Sequence, residues 1–189
     1  MKRLLVGTAI VLAFLSGCGT TPQATPSPSK PASNSAPPSA VPKAGSSDTR
    51  RPVAAAGGLC KLLNYQQVAD ATGIDFDFAA AGKSACALQV QGHDHPDLTL
   101  GAGGTKVKSD QFFSAFAPDG AEKVSGLGKA AYRAVGDPKG KAGPTAEVGW
   151  LSGGKFYLLT YTFEPGAAKG QAGEMAVKLV TLAKGLKTG

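Results

Sequence analysis

Residues 145–163 read TAEVGWLSGGKFYLLTYTF, two apolar-rich runs on either side of Gly153-Gly154. A double glycine is a two-residue hairpin turn, because the turn that suits the twist of paired strands needs positive φ at its central positions. With that turn, Ser152 pairs with Lys155. Trp150 then faces Tyr157, Val148 faces Leu159 and Ala146 faces Tyr161. All three pairs fall on one side of the hairpin, and a slip of one residue would turn the whole set to the other side. The stretch therefore predicts an antiparallel sheet with one strongly apolar face.

Other elements fall in place around it. Asn64 stands as a helix N-cap with Gln67 three residues on, and Leu63 and Val68 are placed as a hydrophobic staple. That helix runs to about Thr72 and is stopped by Gly73. Cys86, Leu88 and Val90 alternate with Ala87, Gln89 and Gln91 as a half-buried strand, and Leu98 and Leu100 continue the alternation on the next. Ser109 opens a short helix whose Phe112, Phe113 and Phe116 form a stripe before Pro118. Ala131 to Gly136 is a further strand. In residues 168–187, Ala172, Met175, Ala176, Leu179, Leu182, Ala183 and Leu186 share one helical face. The predicted fold class is α+β, an antiparallel sheet with helices packed on one face, in the order α-β-β-α-β-β-β-α.

Upstream of this the chain changes character. Residues 1–18, MKRLLVGTAIVLAFLSGC, have Lys2 and Arg3 followed by an uncharged run from Leu4 to Leu15. The run has the length of a signal-peptide core and falls short of the roughly 20 residues a membrane-spanning helix needs. Leu15-Ser16-Gly17-Cys18 resembles the bacterial lipobox, which implies cleavage before Cys18 and attachment of diacylglyceryl to its thiol. On this reading 1–17 is a lipoprotein signal peptide. The segment 18–57 is a lipidated cysteine and a disordered tether rich in Pro, Ser, Thr and Ala, and 58–189 is one folded domain. Eight of the 13 prolines lie before residue 53. Such a composition buries too little apolar surface to fold, and a flexible tether of that length spans roughly 35 Å. The expected location is the outer, extracytoplasmic face of the cell membrane, held by lipid.

Charge excludes one class of partner. The whole chain has a formal charge of +7, but residues 58–189 carry 14 basic against 12 acidic side chains. A net of +2 on the folded part is no nucleic-acid footprint. Two His and three Cys are too few for most zinc or haem frameworks. With Cys18 acylated, Cys60 and Cys86 are left as an even pair in an oxidising compartment, which reads as a disulfide, with a reduced or redox-active pair as the alternative.

Cys60-Lys61-Leu62-Leu63, a helix ending at Gly73 and a second cysteine at 86 resemble the C-x-L-L…G…C opening of a family of small actinobacterial secreted lipoproteins of unknown function. Val124-Ser125-Gly126-Leu127-Gly128-Lys129-Ala130-Ala131-Tyr132 is similar to that family's GLG-x-x-A turn and strand. Where its members often carry Trp two residues after the second cysteine, this chain has Leu88. The resemblance implies an address and a fold. It supplies no catalytic residues and no cofactor.

Candidate chemistry is sparse. His93-Asp94-His95-Pro96-Asp97 has metal-ligand side chains, but the Gly, Asp and Pro around them suit a solvated turn, and a catalytic zinc needs a third protein ligand that no further His supplies. Asp75 and Asp77 are a carboxylate pair, better placed on an edge than in acid–base work. No serine stands in a G-x-S-x-G elbow. Gly101-Ala102-Gly103-Gly104-Thr105-Lys106 lacks the spacing of a phosphate-cradling loop. Trp150, Tyr157 and Tyr161 share a face and are candidates both for core and for the wall of a ligand pocket. The expectation is a non-enzymatic binding or interaction module, taking a small ligand, a wall component or another envelope protein. The alternatives are an envelope hydrolase using the loop Asp and His residues, and an accessory subunit of a secretion or signalling complex.

Overall fold

A computed structural model describes residues 51–188. The expected signal peptide, Cys18 and nearly all of the expected tether lie outside the described residues. Seven strands form one antiparallel sheet: β1 (Phe78–Ala81), β2 (Ala85–Gln89), β3 (Asp97–Gly104), β4 (Glu122–Val124), β5 (Ala130–Gly136), β6 (Thr145–Ser152) and β7 (Lys155–Thr162). Their order across the sheet is β1-β2-β3-β7-β6-β5-β4. Among the described residues three α-helices accompany them: α1 (Tyr65–Thr72), α2 (Phe112–Phe116) and α3 (Lys169–Gly185).

The central hairpin has the expected register, with Trp150 opposite Tyr157, Val148 opposite Leu159, Ala146 opposite Tyr161 and Ser152 opposite Lys155. Gly153 and Gly154 both take positive φ, 55° and 74°, as a mirror-image two-residue turn requires. The α1 helix also starts and stops where its caps put it. The Asn64 side chain accepts the N–H groups of Gln66 and Gln67, and Gly73 closes the helix in the left-handed region.

Three features depart from the sequence expectation. Two more strands are present. β1 reads FAAA, with no apolar alternation to reveal it, and β4 is only three residues long, EKV. Second, the helices do not all share a face. α1 and α3 lie with Trp150, Tyr157 and Leu159, whereas Phe112 of α2 packs with Tyr132, Ala134 and Leu151 on the opposite side of the sheet. Third, packed structure begins upstream of Gly58. A 3-10 turn at Val53–Ala56 carries Val53, only 2% exposed, into the main core. Burying a valine outweighs the solvated character of the residues around it.

A second 3-10 turn, Gly58–Leu62, brings Cys60 to Cys86 on β2, and the two form a disulfide with Cα atoms 5.0 Å apart. It closes a loop with a sequence separation of 26, for which the chain-entropy model gives about 3–4 kcal/mol. The bridge ties the N-terminal turns to the sheet over a face whose leucines at 88, 98, 100 and 159 are fully buried.

Candidate functional site

Trp150, Tyr157 and Tyr161 are 0%, 5% and 3% exposed and belong to the main core under α3. The Trp150 and Tyr157 rings stack at 5.2 Å. Their polar ends meet the C-terminal tail: the Trp150 Nε1–H donates to Thr188 Oγ1 at 3.2 Å, and the Tyr157 hydroxyl donates to the Thr188 carbonyl at 3.3 Å. All three pack in the core. Tyr161 touches Phe76 and Phe163 edge-on, and burial, with Glu164 and Asp97 nearby, pushes its phenol up to about 12.

The loop histidines and carboxylates are drawn into local turns. His95 Nδ1 lies 2.9 Å from Asp97 Oδ1. Asp77 Oδ1 accepts the Gln91 N–H at 2.7 Å, pinning the β2–β3 turn to the start of β1. His93 and Asp94 stay exposed at the tip of that turn. Among the described residues, no three His, Cys, Asp or Glu side chains gather into a metal-holding group. Gly101–Gly104 is the second half of β3, paired with Lys155–Leu158 of β7, so its backbone is spent on the sheet ladder.

Two cavities flank α3, one at each end. At its N-terminal end a cavity of about 400 Å³ is lined by Asp119, Glu122, Arg133, Val135, Lys169 and Gly173. Its two cations are paired: Arg133 Nε donates to Glu122 Oε2 at 3.0 Å, and Lys169 Nζ to Asp137 Oδ1 at 2.6 Å. The Lys169 hydrogen bond and charge hold the Asp137 carboxyl below its ordinary value. At the C-terminal end a cavity of about 430 Å³ lies between the Ser125–Lys129 loop and the end of the helix, with Ser152, Lys184, Lys187 and Thr188 in its wall. Gly128 shapes that loop. Its φ is +58°, and a Cβ there would stand 2.3 Å from the Leu151 carbonyl oxygen. Only glycine meets both conditions.

The second cavity was not visible as a site in the sequence. Its one sequence signal was the Gly126-Leu127-Gly128 motif, read as a turn. Its lysines come from a different element, far along the chain. Comparison with protein-family models, with curated proteins and with solved structures finds no match to the chain. Function is therefore argued from its own residues.

Proposed function

We propose that this chain is a lipid-anchored lipoprotein of the outer face of the cell membrane, and that its folded part is a non-catalytic binding or interaction module of the envelope. One observation carries the reading: Cys60 and Cys86 are joined, so of the three cysteines only Cys18 is left for another chemistry. A disulfide in a small domain belongs to an oxidising compartment. Cys18, for its part, stands at the end of a charged, then apolar, then small-residue run. The non-catalytic half of the reading is supported by the engagement of two of the candidate acid–base groups. Asp77 and His95 serve their own turns, and the central aromatics fill the core.

The test is metabolic labelling of the full chain with an alkyne-tagged palmitate in a bacterial host. The wild-type chain takes up label and the Cys18→Ser chain does not. Equal labelling of both, or three alkylatable thiols in unreduced, denatured protein, would show the reading to be wrong.

A further inference from the structure

The topology sorts charge to the two ends of the sheet. At one end lie the β1–β2 turn, the exit of β3, the Ser125–Lys129 loop, the β6–β7 turn and the tail of α3. Hydrogen bonds place them together: Ala102 N–H to the Ser84 carbonyl at 2.9 Å, Thr105 N–H to that of Gly154 at 3.1 Å, and Lys129 N–H to that of Leu151 at 2.8 Å. In the segments 82–84, 104–110, 124–130, 152–155 and 184–188 stand Lys83, Lys106, Lys108, Lys129, Lys155, Lys184 and Lys187, all exposed, against one carboxylate, Asp110. The opposite end, segments 74–78, 90–97, 118–122, 136–145 and 162–169, holds eight carboxylates and three lysines. Lys184, in the last turn of α3, suits the carbonyl end of a helix. The helix dipole accounts for none of the lysines on strand ends and turns.

At the lysine-rich end, the cavity of about 430 Å³ is walled by Gly126, Gly128, Ser152, Lys184, Lys187 and Thr188, with no carboxylate among the described residues that line it. Lys184 Nζ would lie 3.6 Å from a Cβ on Gly126, so its ammonium stands at the loop's edge. Neither Lys184 nor Lys187 pairs with a carboxylate among the described residues. The cavity at the other end of α3 is the contrast, since its Arg133 and Lys169 are both neutralised by the chain itself.

We infer that this cavity is a binding site for a phosphate-bearing ligand, a phosphate monoester or diphosphate. Two ammonium groups at one cavity call for a compact anion of more than one charge, and lysine binds phosphate as a point charge with three rotatable donors. The volume falls in the range of small-molecule sites, about 300–1,000 Å³, and leaves room for an organic group beside the phosphoryl. Glycines at 126 and 128 keep side chains of their own out of the loop's wall. The inference rests on the reading of the folded part as a binding module and is independent of the anchor. Loss of the palmitate label leaves it standing, and a silent cavity leaves the label standing.

Trp150 is the chain's single tryptophan, and its indole N–H is bonded to Thr188, a residue of the cavity wall. Its fluorescence therefore reports on the site. The full chain in neutral detergent is titrated at constant ionic strength with inorganic pyrophosphate, and separately with micelles doped with phosphatidic acid, a lipid phosphate monoester. A saturable change is expected. Its midpoint should rise at least tenfold in the Lys184→Gln/Lys187→Gln chain and stay put in the Lys139→Gln/Lys141→Gln chain, which loses the same charge at the opposite end. Saturation by pyrophosphate marks a soluble source of the phosphate, and saturation by the lipid alone marks a headgroup. No saturation by either overturns the inference. So does an unchanged midpoint in the Lys184→Gln/Lys187→Gln chain with its melting curve intact.

Discussion

The two faces of the sheet are covered in different ways. On one, the 3-10 turns, α1 and α3 close over a continuous core from Val53 to Leu186, tied at one side by the Cys60–Cys86 bridge. On the other, α2 is five residues long and covers a cluster of four buried residues, Phe112, Tyr132, Ala134 and Leu151. Beyond α2 the second face carries Ala85, Ala87, Thr99, Gly101 and Thr160, the residues that alternate with the buried leucines and tyrosines of the first. Small side chains here leave the sheet half-covered without a second helical layer. The first face thus sets whether the chain folds, and the second adds a local patch.

Removing the centre of the larger core tests this most severely. Trp150 is fully buried, stacked on Tyr157 and bonded to Thr188. The Trp150→Ala chain is expected to lose about 4–5 kcal/mol, the upper part of the range for large aromatic truncations, because α3 and two central strands hold the cavity open. Urea unfolding followed by far-ultraviolet circular dichroism measures it. A loss below about 2 kcal/mol would mean that the helical layer collapses into the gap, and that this face is far looser than its packing implies.

The same operation on the second face should cost less. Phe112 is fully buried among Phe116, Tyr132 and Phe156, with centroids 5.5–5.9 Å from its own. Its helix, however, is short and flanked by loops that can close in. Phe112→Ala is expected to cost about 2–3 kcal/mol. Hydrogen-exchange protection should fall over 107–121 and persist in β3, β6 and β7. A global loss equal to that of Trp150→Ala would make the two faces one cooperative unit and remove the distinction.

What was legible in the sequence follows the same physical division. The β6–β7 hairpin was readable because a double glycine fixes the turn and three pairs then agree on one face. The first helix was readable because Asn64 and Gly73 mark its ends. β1 and β4 were not, since FAAA has no period and EKV is too short to have one. Val53 was hidden because a single apolar residue beside a proline-rich stretch gives no pattern, and its burial depends on the sheet it meets. The placing of α2 on the second face was likewise out of reach: the stripe of Phe112, Phe113 and Phe116 says that a face is buried, not which face of the sheet receives it. For Trp150, Tyr157 and Tyr161 the pattern left core and pocket open, because a shared face does not say what packs on it. The gathering of seven lysines could not be read at all. Lys83 and Lys187 are more than a hundred positions apart and become neighbours of one end only through the strand order.

The gentlest probe compares one phenol from each face. Tyr132, on the α2 side, has its ionisation pushed well above the ordinary tyrosine value, first by burial, then by the Glu147 charge and the hydrogen bond to it. Tyr161, on the α3 side, is pushed up to about 12 by burial, with smaller contributions from Glu164 and Asp97. Both folded-state values lie above the unfolded value of about 10. From pH 10 upward the unfolded chain therefore holds fewer protons than the folded one. Stability from these two groups is complete below pH 10 and falls as the pH climbs through 12. Absorbance at about 295 nm should show both phenols ionising late, and Glu147→Gln should bring Tyr132 forward while leaving Tyr161 where it is. A folded chain in which every phenol ionises together near pH 10, or in which Glu147→Gln moves both tyrosines equally, would show that the two faces are not electrostatically separate.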